Sequence, residues 1–136
     1  MPSTATSVLV DTSVWIEFLR KDGDPRYRAR LSQLIDDNRV ALCGLILAEL
    51  LKGARSDKEY QDLEERLAAL VYLETPESLW KKSGRNASLL LRKGIQVPMT
   101  DLIIAFIGLE NKIPVFHNDK HFRILQKYIP LDTLEI

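Results

Sequence analysis

The chain has 136 residues, 46% of them hydrophobic, with 19 basic side chains against 19 acidic ones. That length predicts one domain over residues 1–136, and the balanced charge excludes the basic excess that usually marks nucleic-acid binding, although not a local basic patch. The single cysteine excludes an intrachain disulfide, and the lack of a basic signal region or of an apolar run near 18 residues argues against a signal peptide and a membrane span, which together indicate a cytoplasmic protein.

Short apolar runs alternate with amphipathic stretches, a pattern that predicts strands separated by helices. In chain order the predicted elements are a strand at 7–10, helices at 14–19 and from 26 to about 38, a strand at 40–43, helices at 46–54 and from 56, a strand at 71–74, helices at 76–93 and 100–111, a strand at 115–117, a helix at 119–127 and an edge strand at 131–134. Thr12 or Ser13 is expected to cap the first helix, and Ser56 forms a capping-box pattern with Glu59. The alternation predicts an α/β fold, in which a central parallel sheet carries helices on both faces.

Four acidic residues are attached to segments that should be buried. They are Asp11 after the first strand, Glu49 within an apolar helix, Asp101 at the start of another apolar helix, and Asp119 after the fourth strand. Burying a carboxylate is costly unless it is paired or binds a metal. Ligands of parallel sheets bind at the carboxyl ends of the strands, and helix starts commonly line the same rim. We therefore predict a divalent-cation site, which Glu49 joins if its helix leans over that rim.

Each acid also has an ordinary explanation. Asp11 can cap a helix. Asp101 follows Thr100, a good N-cap, and suits a first helical turn, while Asp119 can be a turn residue. Glu49, which has apolar neighbours, favours the functional interpretation. The prediction of a site therefore depends on all four acids occupying comparable places in the fold.

Other candidate groups have simpler interpretations. His117 and His121 flank Asp119 and can ligate a metal, but a strand-end histidine and a helix-surface histidine are the expected roles. Cys43 has no partner at zinc spacing and is expected in the core. A basic stripe recurs at helical spacing, and it consists of Lys81, Arg85, Ser88 and Arg92. A solvated helix face is its default role, and a phosphate-binding strip is the alternative.

The segments around the four acids resemble the motifs of PIN-domain proteins. They are VDTSVWIE at 10–17, AELLKGA at 48–54, PMTDLIIA at 98–105 and FHNDKHF at 116–122. Their order and spacing are similar to those of VapC toxins from bacterial and archaeal toxin–antitoxin pairs, and the resemblance covers nearly the whole chain. The chain departs from the family pattern at His121, where many members carry a fifth acid, and at His117, where a small hydroxyl residue is common.

The resemblance implies a PIN fold and a Mg²⁺-dependent endoribonuclease, with Mn²⁺ as a substitute ion. The catalytic and metal-binding residues would be Asp11, Glu49, Asp101 and Asp119, which we call the acid quartet. We expect Asp11 and Asp101 as direct ligands. Residues that orient a ligand or water would be Thr12, Ser13 and Thr100. The cation would neutralise the phosphate and activate water for in-line attack.

The resemblance also implies three partners. RNA would be the substrate, and the basic stripe gains importance as an RNA contact through Lys81, Arg85 and Arg92. A second copy of the chain would form a homodimer. A cognate VapB-like antitoxin would insert a C-terminal segment into a groove and disturb the site.

Two other interpretations stay open. A phosphotransfer or phosphatase domain of the doubly wound class would share the fold class. A dehalogenase-type site, however, needs a second acid where Ser13 stands. A receiver-type domain needs a phospho-accepting aspartate after a central strand and a lysine after a late one, and neither placement is convincing here. A non-catalytic PIN scaffold would only bind partners, and the intact acid quartet argues against it.

Overall fold

A computed structural model describes residues 6–136, within which five parallel strands form one sheet in the order β3-β2-β1-β4-β5. The strands are β1 (Val8–Val10), β2 (Val40–Cys43), β3 (Val71–Leu73), β4 (Val115–Phe116) and β5 (Thr133–Leu134). The helices are α1 (Thr12–Leu19), α2 (Pro25–Asp36), α3 (Gly44–Lys52), α4 (Asp57–Ala68), α5 (Glu77–Arg92), α6 (Met99–Glu110) and α7 (Lys120–Leu125). The predicted α/β fold with a parallel sheet is confirmed.

Strand β1 is at the centre of the sheet, and successive strands are added first on one side of it and then on the other. The chain first builds outward from β1 to β3 and then crosses back to β4 on the other side of β1. Right-handed crossovers therefore place α1–α4 over one face and α5–α7 over the other. The principal helix contacts fall into the same two groups, since α1 contacts α2 and α3, and α6 contacts α5 and α7. The point of reversal, between β1 and β4, is where ligands bind in open parallel sheets.

The central strands and one helix form the core. All three residues of β1 and all four of β2 are buried, which is typical of parallel strands covered on both faces. In α6, every residue from Leu102 to Gly108 is buried. Each buried side chain of leucine size contributes about 1.5–3 kcal/mol. The edge strand β3 differs, because Val71 and Tyr72 are each 48% exposed.

Two predicted helix caps are wrong. Helix α1 begins at Thr12, and its cap is Asp11 rather than Thr12 or Ser13, which confirms the ordinary role considered for Asp11. The Asp11 side chain accepts a hydrogen bond from the Ser13 N–H at 3.0 Å. Helix α6 begins directly after Pro98 without a side-chain cap, so Thr100 lies inside the helix. Both differences move the first helical turn toward the rim of the sheet, where the acids lie.

The predicted cap of α4 is confirmed. The Ser56 hydroxyl accepts a hydrogen bond from the Glu59 N–H at 3.1 Å. The returning bond is displaced by one residue, because the Glu59 carboxylate accepts from the Arg55 N–H at 2.8 Å. Among residues 6–136, no helix combines the length and apolar character needed to cross a membrane.

The tight turn between α1 and α2 requires glycine at position 23. A Cβ on Gly23 would lie 1.7 Å from the Glu17 carbonyl oxygen. We expect Gly23→Ala to lower the free energy of unfolding by at least about 2 kcal/mol, because backbone must shift to make room. Gly84 is the matched control, since a Cβ there meets nothing within 4 Å. Gly84→Ala should raise the stability by about 0.5–1 kcal/mol, since alanine is the better helix former. Urea denaturation measures both, and two variants of equal stability would contradict this account.

Candidate metal centre

Parallel pairing brings two of the predicted acids together at the reversal point of the sheet. Val10 of β1 is in register with Phe116 of β4, and the Asp11 N–H donates to the Phe116 carbonyl at 2.9 Å. Asp11 therefore continues the ladder at the carboxyl end of β1, and Asp119 follows the neighbouring end of β4. Asp101 reaches the same place from the first turn of α6.

The charges of the acid quartet act on one another, and the effect is largest at Asp101. Burial raises the pKa of Asp101 to about 7, and the negative charges of Asp119, Asp11 and Glu49 add to the rise, while His121 opposes it. The largest cause of this rise is burial, and the neighbouring carboxylates add to it, so the ionised form of Asp101 is disfavoured both by desolvation and by like charge. A divalent cation would supply positive charge there, so the residues present fit such an ion.

Asp11 is the most enclosed member of the acid quartet, being 4% exposed. Burial raises the pKa of Asp11, hydrogen bonds from Ser13 lower it, and the Asp119 charge raises it further. Asp11 Oδ2 accepts from the Ser13 hydroxyl at 2.6 Å, and the same hydroxyl accepts from the Asn118 N–H at 2.9 Å. Ser13 therefore ties the turn after β1 to the turn after β4.

Glu49 interacts with this group from α3, which contacts α1. The residue as a whole is exposed, yet partial burial of its carboxylate raises the pKa of Glu49, and the Asp11 charge adds to the rise. The side chain of Thr12 has the opposite effect on this pKa. The Thr12 hydroxyl is buried, and it has no hydrogen bond of good geometry within residues 6–136. The Thr12 hydroxyl therefore lies near the Glu49 carboxylate without forming a well-aligned hydrogen bond to it.

Asp119 is held by backbone contacts on both sides. Its Oδ1 caps α7 by accepting from the His121 N–H at 2.9 Å, and its own N–H donates to His117 Nδ1 at 3.2 Å. Because His117 Nδ1 accepts, the proton of the neutral ring is on Nε2, which lies 3.8 Å from Glu135 Oε2. His117 is completely buried, and burial lowers its pKa. The strand-end histidine therefore supports the turn that carries Asp119.

His121 lies on a helix, α7, as expected, but its side chain is only partly exposed and contacts the acids. His121 Nδ1 is 2.9 Å from Asp119 Oδ1 and 3.1 Å from Asp101 Oδ2. One potential ligand atom from each of these three residues lies within 4.8 Å of the other two. Helical periodicity could not reveal this position. His121 is the second residue of α7, and the capping hydrogen bond brings it next to Asp119. The available signal was the departure from the PIN pattern at this position.

The remaining predicted residues lie outside the carboxylate cluster. Thr100 is exposed, and its side chain makes no hydrogen bond to the described part of the chain. Cys43 is buried at the end of β2, as expected, and burial raises the pKa of its thiol, with smaller contributions from Asp11 and Glu49. A thiol that holds its proton is a poor ligand for a hard cation.

The basic stripe occupies the outer side of α5. The buried side of this helix consists of Leu79, Ser83 and Leu90, and the charged stripe residues are exposed on the opposite side. Lys81 pairs with Glu77 at 3.1 Å, whereas Arg85 and Arg92 make no ion pair within residues 6–136. Two guanidinium groups are therefore available to an external anion.

Comparison with known proteins agrees with the fold and motifs. The family model described as PIN domain matches residues 8–128. Ribonuclease VapC21 of Mycobacterium tuberculosis is 35% identical over 101 residues, which cover 72% of this chain and 73% of that protein. The chain therefore belongs to the PIN-domain family, in its VapC group, and the predicted resemblance is confirmed.

Solved structures share the fold at lower identity. A chain in the structure of VapBC2 from Rickettsia felis bound to promoter DNA has a TM-score of 0.76 at 18% identity, covering 96% of this chain and 99% of that one. A chain in the structure of VapBC-1 from nontypeable Haemophilus influenzae has a TM-score of 0.75 at 23% identity, covering 96% and 98%. At these identities the likeness concerns the fold alone.

Without divalent cations, the stability of this protein should fall as the pH rises. The pKa of native Asp101 is about 7, against an ordinary value of 3.8. Between about pH 4 and 7 the native state therefore binds more protons than the unfolded state, and the free energy of unfolding decreases with pH. At about 1.4 kcal/mol for each pKa unit, the loss is at most about 4 kcal/mol. Asp101→Asn cannot ionise, so in EDTA at pH 8 it should be more stable to urea than the wild type.

The difference between wild type and variant isolates this effect. The lowered pKa of His117 acts in the opposite direction, because a neutral buried histidine loses stability as the pH falls below about 6.5. That contribution is present in both proteins and cancels. Asp62→Asn, an exposed aspartate on α4, controls for loss of charge alone. If the stability difference between wild type and Asp101→Asn were the same at pH 5 and pH 8, the raised pKa of Asp101, caused by burial and by its acidic neighbours, would be contradicted.

Proposed function

We propose that this chain is a divalent-cation-dependent endoribonuclease that hydrolyses RNA phosphodiester bonds, and that it acts as the toxin of a toxin–antitoxin pair. The observation that carries the proposal is the acid quartet, whose carboxylates act on one another around the buried Asp101 at the reversal point of the sheet. A relative at 35% identity is named a ribonuclease. That name supports RNA as the substrate.

The donors of the acid quartet are all carboxylate oxygens, which favours Mg²⁺, with Mn²⁺ as a substitute. We propose Asp11 and Asp101 as direct ligands, with Asp119 and Glu49 completing the set directly or through water. When bound, the ion supplies Lewis-acid chemistry, since it neutralises the phosphate and lowers the pKa of a water molecule. RNA is anionic, and without the ion these carboxylates would repel it.

The protein's own residues have separate tasks in this scheme. Ser13 fixes Asp11 through a 2.6 Å hydrogen bond, so that the carboxylate keeps one orientation. Glu49 is the exposed member of the acid quartet, and its raised pKa suits it to accept a proton at its carboxylate from an incoming water. Thr12 has a buried hydroxyl without a good partner, and it is placed to orient that water or Glu49.

We also propose the partners that the family implies. The chains of similar fold come from structures of VapBC proteins, which supports a cognate VapB-like antitoxin, and a homodimer is expected from the resemblance. Exposed apolar side chains on the surface suit such contacts, among them Leu91, which is 57% exposed, and Val71. A cytoplasmic location belongs to the same proposal and fits the reduced, buried Cys43.

Asp11→Asn should reduce RNA cleavage at saturating Mg²⁺ by at least about 100-fold, because loss of a partner that merely orients a ligand already costs 10–100-fold. The fold should persist, since asparagine is as good a helix cap as aspartate. A quenched fluorescent RNA, assayed with Mg²⁺ or EDTA, measures cleavage, and circular dichroism checks the fold. Asp62→Asn is the matched control. If Asp11→Asn were folded and cleaved RNA at nearly the wild-type rate, Asp11 would not belong to the site. Titration of the wild type and of Asp11→Asn with Mn²⁺ tests the inert-scaffold alternative, since such a scaffold should bind no ion through Asp11.

The basic stripe generates a separate prediction about RNA binding. Arg85→Gln combined with Arg92→Gln should weaken RNA binding and flatten its salt dependence by about 1.4 in log–log slope, at about 0.7 for each lost contact to single-stranded phosphate. An Asp101→Asn background keeps the RNA intact during the measurement. Mn²⁺ affinity in the otherwise wild-type chain should not change.

The control is an equal loss of charge elsewhere, made by Lys21→Gln with Lys58→Gln, two exposed lysines off α5. Fluorescence anisotropy between 50 and 200 mM salt follows all variants. If both double variants changed the slope equally, the stripe would be an ordinary solvated face, and RNA would enter over another surface.

A further inference from the structure

A nitrogen atom lies among the oxygen atoms of the candidate metal centre. His121 Nδ1 is 3.1 Å from Asp101 Oδ2 and 2.9 Å from Asp119 Oδ1. Adjacent ligands of an octahedral ion with bonds of about 2.1 Å are separated by about 3 Å. The imidazole nitrogen therefore already stands at the separation that two neighbouring ligands of one ion would have.

These contacts are not simple hydrogen bonds. The Nδ1 atom is buried and has no partner in hydrogen-bond geometry within residues 6–136, although the two carboxylates are close. The backbone of His121 is held in place, since its N–H donates a hydrogen bond to Asp119 Oδ1 at 2.9 Å. The His121 Nδ1 atom is therefore close to two carboxylates without hydrogen-bonding to either. This arrangement is the one expected if the nitrogen and both carboxylates bind the same ion.

His117 cannot take the same role. Its Nδ1 accepts the Asp119 N–H, its Nε2 lies 3.8 Å from Glu135 Oε2, and its ring is outside the group of ligand atoms formed by Asp101, Asp119 and His121 within the described residues. The chain contains two histidines, so His121 is left as the one imidazole available to the site.

We propose that His121 is a ligand of the same ion that Asp101 and Asp119 bind, and that it shifts the preference of the site from Mg²⁺ toward a first-row transition ion such as Mn²⁺. The inference rests on the proposed divalent-cation site and adds a ligand to it. Mg²⁺ strongly prefers oxygen ligands, whereas first-row transition ions also accept imidazole nitrogen, with affinity that is lowest at Mn²⁺ and rises along the series. A histidine at this position therefore changes which metal the protein selects.

Pulsed electron paramagnetic resonance of the Mn²⁺-loaded full chain tests the ligand directly. We expect ¹⁴N modulation from a coordinated imidazole in the wild type and its loss in His121→Asn. His117 remains in that variant, so a nitrogen signal that persists would assign the coupling to His117 and overturn the proposal. His121→Asp, which replaces the ring with a carboxylate, is the second variant and should also lack the signal.

Calorimetric titration with Mn²⁺ and Mg²⁺ tests the selectivity. His121→Asn should lower Mn²⁺ affinity by about tenfold or more, with a smaller effect on Mg²⁺, and His121→Asp should lower the ratio of Mn²⁺ to Mg²⁺ affinity. Higher Mn²⁺ affinity in His121→Asn would mean that the ring acts as a competing cation, and the proposal would fail. Mn²⁺ binding that needs Asp101 but shows no nitrogen coupling would overturn the role of His121 while leaving the proposed function intact. Absence of Mn²⁺ binding in the wild type would overturn both.

Discussion

The parallel pairing of β1 with β4 is the constraint on which the rest of the structure depends. Because both strands run in the same direction, their carboxyl ends lie side by side at one rim. The residues that follow them, Asp11 and Asp119, are therefore neighbours at that rim. The same pairing places the start of α6 at that rim, since this helix must run back along the sheet to lead into β4. The electrostatic conflict at Asp101 therefore follows from the topology, and the buried β1 and α6 provide the stability that tolerates it.

Helix termini offset part of this conflict. Asp11 and Asp119 each cap the helix that follows, and Asp101 lies in the first turn of its own helix. A negative charge at a helix start gains about 0.3–1 kcal/mol from the helix dipole. Capping and participation in the site are therefore compatible: the hydrogen bonds of a cap orient the carboxylate and at the same time reduce the cost of gathering it with others.

Local patterns predicted the elements well, because buried strands and amphipathic helices have distinct periodicities. All the strands within residues 6–136 were anticipated, although every strand except β2 is one or two residues shorter than predicted. The cap of α1 was mispredicted because hydroxyl and carboxyl side chains compete for the same role, whereas α6 begins directly after Pro98 without a side-chain cap. Asp11 takes the cap of α1, and Ser13 in the first turn bonds both Asp11 and Asn118.

The pattern of a parallel sheet predicted that the acids share one rim, but the strand order was beyond local reasoning, since no periodicity reports which strands are neighbours. The motif resemblance provided that information indirectly. The position of His121 was missed for a related reason, because its neighbours in space, Asp101 and Asp119, come from two different connections. Glu49 was a conditional prediction, and the condition concerned the tilt of α3, which depends on packing against α1 rather than on sequence pattern.

The Ser13 hydroxyl has a consequence for how the site assembles. It donates to Asp11 and accepts from the backbone of Asn118, so two chain segments more than 100 residues apart share one oxygen atom. Residues joined in one hydrogen-bond network show coupling energies of about 0.5–3 kcal/mol in double-mutant cycles. The turns after β1 and β4 are therefore energetically coupled through this oxygen atom. A binding partner that displaced the turn at Asn118 would break this coupling, while Asp11 would keep its local hydrogen bonds from Ser13.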